Sequence, residues 1–239
     1  MAIFINGQQF GLGGVPEQRP PAAPGFSVLR NNNTLIMPDQ WTDVDHVSYC
    51  CDALNQGQYN TCTAYAVSAG ISATRMYRNN ARCSPDPLDL FTKVSNNLYS
   101  GITLSAALNA AESLGVKATG DPPAVCKVLE AVDCPNVNEI ATAVLCGYFV
   151  VTAIYIDPAI WQQQFNLRST TPIVGPPDSV QDGHSILVVG LKNLGGNWHF
   201  KIQNSWGPTW GAAGFAYVPI TYWQLTHFTD GWCIAETVC

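Results

Sequence analysis

A single cysteine stands where a glycine-containing turn runs into an apolar, alanine-rich stretch. The turn contains Gly57, and the stretch that begins at Cys62 has the pattern of a helix buried on most of its sides. A thiol at a helix N-terminus lies close to unpaired N–H groups, whose partial positive charge lowers its pKa. Cys62 is therefore a candidate nucleophile; the alternative is a small buried side chain on an alanine-rich helix.

Three polar residues elsewhere in the chain could complete the site of a cysteine nucleophile. Such a site needs a base, a group that orients the base, and donors for the oxyanion. His184 opens an apolar strand pattern, and Asn204 ends the strand pattern that follows it. Because a Gly195-Gly196 turn joins these strands, the start of one and the end of the other lie side by side. Gln56, on the turn before Cys62, could donate an amide N–H beside the backbone N–H of the cysteine.

The elements that must carry these residues fall into a helical first half and a strand-rich last third. Thr103 is suited to cap a helix at residues 104–114, and Gly115 is suited to end it. Helices first and antiparallel strands afterwards predict an α+β protein of two lobes. We expect the other helices at 62–78, 88–98 and 138–146, strands at 148–156, 184–191, 198–203 and 214–218, and an irregular segment at 118–135.

The first 36 residues differ in composition from the rest of the chain. Glycine and proline alternate through them, and Asn31-Asn32-Asn33 follows. This composition favours extended and turn conformations and is not expected to form a packed core. We therefore expect an N-terminal arm at 1–36, held by lobes of its own chain or by neighbouring chains of an assembly. The remaining domain, 37–239, should have a helical lobe at about 50–130 and a β lobe at about 135–220.

The charge balance and the lengths of the apolar runs argue against two classes of partner. Charged residues make up only 12% of the 239 residues, the formal net charge is −6, and no run of lysine and arginine occurs. A nucleic-acid-binding surface needs a basic face, so we expect no nucleic-acid partner. No apolar run is long enough to span a bilayer, and the N-terminus has no signal-peptide pattern, so we expect no membrane partner. Cytoplasmic and virion-associated locations both stay open.

The nine cysteines leave the redox state open. An odd count fits one free reactive thiol with four disulfides, and it fits nine reduced thiols equally well. Neither a C-x-x-C pair nor an H-x-x-x-H pair occurs. Because zinc ligands usually have such spacings, the sequence predicts no metal site, and we expect no cofactor.

Three motifs, in this order along the chain, resemble those of the papain family of cysteine peptidases. QGxxxxCxAY spans Gln56 to Tyr65, GHSxxxVG spans Gly183 to Gly190, and NSWGxxWG spans Asn204 to Gly211. The resemblance extends over residues 37–220, about three quarters of the chain. It implies the papain-like two-lobed α+β fold, with the cysteine on a helical left lobe and the histidine and asparagine on an antiparallel β-barrel right lobe.

The resemblance also implies a role for each residue. Cys62 would be the nucleophile and His184 the general acid and base in the hydrolysis of a peptide bond through an acyl-thioester. Asn204 would orient His184, and Gln56 would donate to the oxyanion. The implied substrate is a peptide or protein bound in a cleft between the lobes. The residues implied to line that cleft are Gly101, Ser185 and Trp206, of which Trp206 would also shield the asparagine–histidine contact from water.

The chain departs from the family pattern at three positions near the nucleophile. Thr63 stands where the family has tryptophan, Tyr59 where it has a half-cystine, and Ile102 where the substrate strand has a second glycine. The arm is also much shorter than the family's inhibitory propeptide. These departures favour a second hypothesis, a papain-like fold that serves as a structural or binding component of a larger assembly, such as a virus particle, with little or no activity. The four intact site residues favour the first hypothesis, an active cysteine endopeptidase.

Overall fold

Helices pack against a large antiparallel sheet in this chain. The computed structural model describes residues 2–5, 8–15, 17, 25–119, 124–164, 173, 182–224 and 230–239. Within these ranges the helices are α1 (Phe26–Arg30), α2 (Cys62–Asn79), α3 (Pro87–Thr92), α4 (Leu104–Ser113), α5 (Val137–Leu145), α6 (Pro158–Gln162) and α7 (Thr221–Gln224), with 3-10 helices at Pro38–Gln40 and Val47–Tyr49. None of the helices in the described part of the chain has the length and apolar character needed to cross a membrane.

The strands form one hairpin and one large sheet. They are β1 (Ala2–Ile5), β2 (Gln8–Gly11), β3 (Val44–Asp45), β4 (Val116–Ala118), β5 (Ala124–Asp133), β6 (Phe149–Ile156), β7 (Asp182–Leu194), β8 (Asn197–Gln203), β9 (Phe215–Pro219) and β10 (Gly231–Val238). β1 pairs with β2. In the large sheet β4, β5, β10, β6, β7, β8 and β9 lie side by side in that order, and β3 pairs with β7. All of these pairs are antiparallel, so the predicted α+β class is confirmed.

Helix α2 carries Cys62 as its first residue and lies against the centre of the sheet. Most of its first thirteen residues are buried, as the alanine-rich pattern predicts. Gly70 allows a close approach to the sheet, because a Cβ there would lie 2.6 Å from Cδ1 of Ile234 on β10. Asn80 ends the helix in a left-handed conformation with φ of 50°. The backbone of the candidate nucleophile is therefore fixed by the core of the protein.

The hairpin predicted to carry His184 and Asn204 forms as expected. β7 and β8 are joined by Gly195-Gly196, whose φ angles of 61° and 87° lie in the left-handed region that favours glycine. Leu187 of β7 is the register partner of Gln203, the last residue of β8. Asn204 therefore leaves β8 close to the start of β7.

The segment 118–135, which the sequence pattern leaves irregular, contains the ten-residue strand β5. It forms a strand because β10 pairs with it along much of its length. The sequence pattern did not predict β10, which also pairs with β6. Strand formation depends on packing against neighbours as much as on the strand's own residues, so the prediction of an irregular segment was wrong.

The helix predicted at 88–98 is shorter than expected, because α3 ends at Thr92. Beyond it, Ser95 Oγ accepts a hydrogen bond from the backbone N–H of Asn97 at 3.2 Å. The Asn97 side-chain oxygen accepts from the N–H of Tyr99 at 3.1 Å. Serine and asparagine side chains that bond to nearby backbone groups compete with helix formation, which explains the early end.

The described part of the arm is packed into the protein, so the prediction that it forms no packed core was wrong. Phe10, Leu12 and Phe26 are all buried in the core of the chain. The backbone N–H and the hydroxyl of Ser27 donate to the carboxylate of Glu139 at 2.7 and 2.6 Å. Of the two expected holders, the chain's own lobes are therefore the ones observed.

One disulfide joins Cys126 on β5 to Cys239, the last residue of the chain. All nine cysteines lie in the described ranges, and the other seven are free thiols. The result matches neither of the two redox states that the cysteine count suggested. The Cys83 sulfur lies within 4.8 Å of both disulfide sulfurs. Because two of these three sulfurs are bonded to each other, they do not offer a set of thiolate ligands.

Candidate active site

The turn that precedes Cys62 is tied to the segment that carries Asn204. The backbone N–H of Gln56 donates to the carbonyl of Ser205 at 2.9 Å, and that of Gly207 donates to the carbonyl of Leu54 at 2.9 Å. Both ends of the site are thus joined by backbone bonds, although they lie about 150 residues apart in sequence. The two regions therefore form one site.

The hydrogen bond to Asn204 holds the neutral His184 ring in one tautomer. Its Nε2 lies 2.8 Å from the side-chain oxygen of Asn204. That oxygen also accepts the backbone N–H of Ser205 at 2.7 Å, which fixes the orientation of the amide. Since an amide oxygen only accepts, His184 Nε2 must carry the proton of the neutral ring, and Nδ1 is left as a base. No hydrogen-bond partner of Nδ1 is found among the described residues.

Aromatic rings enclose His184. The ring centroid of Trp206 lies 4.9 Å from that of His184, and the ring of Trp161 on α6 lies 5.8 Å away. Trp210 stacks on Trp161 with centroids 5.7 Å apart. Because no part of His184 is exposed, burial lowers its pKa to about 4, and the bond to Asn204 opposes this shift.

Cys62 is fully buried, and burial raises its pKa. The expectation of a lowered pKa was therefore wrong for this state of the protein. Hydrogen bonds from the backbone N–H groups of Ser185 and Gly13, and from the hydroxyls of Ser185 and Thr63, act in the opposite direction. One of these donors, Gly13, belongs to the N-terminal arm, which covers the thiol.

The amide of Gln56 points into the same space. Its oxygen accepts the hydroxyl of Ser205 at 2.5 Å, which leaves the nitrogen as the donor on the cleft side. That nitrogen donates to the carbonyl of Gly11 at 3.0 Å and to the carbonyl of Tyr59 at 2.8 Å. An arm carbonyl thus lies on the group predicted to bind the oxyanion.

The arm continues through the cleft beyond Gly11. The N–H of Gly14 donates to the carbonyl of Gly183 at 3.1 Å, and the N–H of Val15 donates to the carbonyl of Ile102 at 3.4 Å. Gly14 also forms a parallel bridge with Ile102. The path is too close for side chains, because a Cβ at Gly13 would lie 2.2 Å from the carbonyl oxygen of Asn60. The glycines of the arm are therefore required for it to fit.

The three residues predicted to line the cleft lie beneath or beside the arm. A Cβ at Gly101 would lie 2.0 Å from the carbonyl oxygen of Gly13. Ser185 is buried, and its hydroxyl lies 2.9 Å from that of Thr63. Trp206 is buried, and its ring centroid lies 5.9 Å from that of Phe10 in the arm.

The positions that depart from the papain pattern make contacts of their own. The ring of Tyr59, in place of a half-cystine, packs edge-on against Tyr99 at 5.6 Å. Ile102 is buried, and its carbonyl accepts the Thr63 hydroxyl at 3.0 Å. Sequence reasoning missed these contacts and the place of the arm. The signal in the sequence for the place of the arm was the run from Gly11 to Gly14, in which Leu12 alone has a side chain. Such a run can pass through a narrow cleft.

The chain is similar to known proteins in sequence and in fold. The model of the papain family of cysteine proteases matches residues 124–224. Cathepsin K of Gallus gallus is 27% identical over 228 residues; the match covers 84% of this chain, which spans only 64% of the length of that relative.

Two solved structures share the fold. Xylellain, a cysteine protease from Xylella fastidiosa, has a TM-score of 0.74 and 20% identity, and the match covers 94% of this chain and 95% of that one. Procathepsin B S9 from Trypanosoma congolense has a TM-score of 0.71 and 13% identity, with 92% and 85% covered. The chain thus has the fold of these two structures, and the order of its three motifs and its residues 124–224 match the papain family of cysteine proteases.

Proposed function

We propose that the chain is a cysteine endopeptidase that its own N-terminal arm keeps latent. The observation that carries the proposal is the bond from His184 Nε2 to Asn204, which leaves Nδ1 as a base on the strand that packs beside Cys62. The match of residues 124–224 to the papain family of cysteine proteases supports a peptide or protein as substrate.

Each step of the proposed reaction has a residue to perform it. His184 Nδ1 takes the thiol proton of Cys62, and the thiolate attacks the scissile carbonyl carbon. The amide of Gln56 and the N–H of Cys62 stabilise the oxyanion. The C–N bond then breaks as His184 returns the proton to the leaving amine. A water molecule, deprotonated by His184, cleaves the thioester and releases the acid product.

The arm accounts for latency in three ways. It covers the sulfur of Cys62, its Gly11 carbonyl occupies the amide of Gln56, and its Gly14 N–H is bonded to the backbone next to His184. A substrate carbonyl cannot reach the nucleophile while these contacts persist. The burial of both groups in this closed state also favours the neutral thiol and the neutral imidazole over the reactive ion pair.

The test is a Gly13→Ala variant of the full chain. The added methyl group clashes with the carbonyl of Asn60, so we expect the arm to leave the cleft. Cys62 should then be alkylated by iodoacetamide, near pH 6, at least about tenfold faster than in the parent. The variant should also react with an epoxysuccinyl peptide and cleave unfolded protein substrates. Peptide mapping identifies the labelled thiol.

Two controls complete the test. Val15→Ala truncates an exposed arm side chain and should leave the cleft closed and Cys62 protected. His184→Ala in the Gly13→Ala background should abolish the selective reaction of Cys62. Slow and uniform labelling of every free thiol in Gly13→Ala would contradict the proposal. The alternative role in a larger assembly gains no support from the arm, whose described residues dock on the chain's own lobes.

A further inference from the structure

Three sulfur atoms lie together at the β5–β10 pair of the large sheet. Cys126 on β5 is bonded to Cys239, and the Cys83 sulfur lies within 4.8 Å of both of these sulfurs. Cys83 is a free thiol in the segment that leads from α2 to α3. Because a thiolate can attack a disulfide sulfur and replace its partner, the fold places a nucleophile beside its own crosslink.

Hydrogen bonds on two sides hold the segment of Cys83 in place. The backbone N–H of Asp86 donates to the carbonyl of Lys117 on β4 at 2.7 Å, and β4 pairs with β5. On the other side, the hydroxyl of Ser72 on α2 donates to the carbonyl of Cys83 at 2.7 Å. The native fold therefore keeps the Cys83 sulfur near the disulfide, and an attack requires movement of side chains rather than of the backbone.

Exposure to water determines which sulfur leaves. Cys126 is fully buried in an apolar cluster, whereas Cys239 is partly exposed. An attack on Cys239 would leave a thiolate on Cys126, where a charge is poorly solvated. An attack on Cys126 leaves the thiolate on Cys239, which water reaches. The attack on Cys126 is therefore the favoured direction.

We propose that Cys83, Cys126 and Cys239 form a thiol–disulfide exchange site. The Cys83 thiolate forms a bond to the Cys126 sulfur while the Cys126–Cys239 bond breaks, and the electron pair of the broken bond leaves on the Cys239 sulfur. Cys83 has lost one proton, and Cys239 takes up one proton. One disulfide and one thiol are present before and after the step, so it needs neither an oxidant nor a reductant.

The exchange moves the crosslink from one pair of elements to another. Before exchange the disulfide ties the end of β10 to β5, and afterwards it ties β5 to the segment that follows α2. β10 supports α2, because the hydroxyl of Thr74 donates to the carbonyl of Ile234 at 3.1 Å. Exchange thus changes which neighbour of the Cys62 helix is covalently fixed. It does not depend on peptidase activity.

The test is alkylation of the full chain, with its Cys126–Cys239 disulfide formed, by a low concentration of iodoacetamide without reductant. A sulfur within a disulfide is not alkylated, so label on Cys239 accumulates only after its bond to Cys126 has broken. We expect labelled Cys239 and a Cys83–Cys126 linkage in the same molecules, identified by peptide mapping without reduction. Because burial raises the pKa of Cys83 to about 11, the labelling rate should rise about tenfold per pH unit from about pH 7 to 9.

Two variants serve as controls. Cys83→Ser removes the attacking sulfur and should slow the labelling of Cys239 at least about a hundredfold. Cys146→Ser removes another partly buried free thiol and should label Cys239 at the rate of the parent. The rate in the parent should not depend on protein concentration, because the attack is intramolecular. Thermal unfolding shows whether each variant is folded.

The outcomes that would overturn the inference are distinct. A parent without label on Cys239 at pH 9 would overturn it, as would equal labelling rates in the parent and in Cys83→Ser. A Cys83–Cys239 linkage would contradict the direction of the attack. If Cys83→Ser does not fold, Cys239→Ser in oxidised glutathione replaces it. That variant should form the Cys83–Cys126 disulfide, and a folded protein that fails to form it would show that the two sulfurs cannot join.

Discussion

At the scale of single residues, the amide of Asn204 determines which nitrogen of His184 can accept a proton. The neighbouring N–H of Ser205 fixes that amide, so the arrangement does not depend on a solvent molecule. The amide of Gln56 is fixed in the same way by the hydroxyl of Ser205. Ser205 therefore orients both the base and the oxyanion donor, from one position in the NSWG motif.

The first prediction concerns Asn204 itself. We expect Asn204→Ala in the Gly13→Ala background to lower kcat about ten- to hundredfold, because His184 loses the acceptor that sets its tautomer. KM should change little, since the Asn204 side chain is buried and bonded to His184. Steady-state kinetics with a fluorogenic peptide measure both constants. Asn109→Ala, on the exposed face of α4, is the matched control, and an equal loss in that control would refute the assignment.

At the scale of elements, the C-terminal strand β10 lies between β5 and β6 and is joined to β5 by the Cys126–Cys239 disulfide. The bond closes a sequence separation of 113 residues. A crosslink over so long a loop restricts the unfolded chain strongly, so it should stabilise the fold. Cys83 lies close enough to compete for either sulfur, and its pKa is raised to about 11 by burial, so it is a neutral thiol at pH 7.

We therefore expect loss of this disulfide to lower the free energy of unfolding by about 2–4 kcal/mol. The measurement is denaturant unfolding of Cys239→Ser. It is made in a Cys83→Ser background, so that Cys83 cannot replace the missing partner of Cys126. Cys146→Ser, which removes a free and partly buried thiol, should change stability by much less. Equal stabilities of the two variants would show that the crosslink contributes nothing.

At the scale of the whole molecule, the arm bonds to both sides of the cleft. Gly14 is bonded to Gly183 on the β7 side, and Val15 is bonded to Ile102 on the helical side. Glu17 continues these contacts, because its carboxylate accepts the hydroxyl of Ser105 on α4 at 2.6 Å. In this closed state His184 is fully buried, and burial favours its neutral form.

We expect release of the arm to let water reach the His184 ring, and closure of the cleft would then depend on pH. The pKa of His184 is about 4 in the closed state, against an ordinary value of about 6.5 when the ring is solvated. Between these values the open or unfolded chain binds a proton that the closed chain does not, so stability of the closed state rises with pH. Acidification from about pH 6.5 towards 4 should weaken closure by up to about tenfold per unit.

Amide hydrogen exchange at Gly11 and Gly14 measures this closure. Their N–H groups donate to Gly57 and Gly183 only while the arm is docked. After correction for intrinsic exchange rates, the protection of these two amides in the parent should decrease as the pH is lowered. The slope should be much shallower in His184→Gln, which has no ring to protonate. Protection that is independent of pH in the parent would mean that His184 does not couple to the arm.

Helices and turns with a local cause could be predicted from the sequence, whereas contacts between distant residues could not. The sequence by itself determined the features with a local cause: the cap of Thr103, the Gly195-Gly196 hairpin and the buried pattern of α2. The resemblance to the papain family is also visible in the sequence, because the spacings within the three motifs are local too. The roles of Cys62 and His184 follow from that resemblance and stay predictions until the arm-displaced variants are measured.

Only the tertiary structure decided what depends on partners distant in sequence. β5 and β10 are strands because they pair with each other, and Cys126 forms its disulfide with Cys239, the last residue of the chain. The pKa of Cys62 follows the same rule. A helix N-terminus lowers it, but burial under the arm raises it by more, and no local pattern reveals that an arm of glycines fits there. The physical reason is that burial and hydrogen bonding are properties of the packed neighbourhood, which the order of residues specifies only through the complete fold.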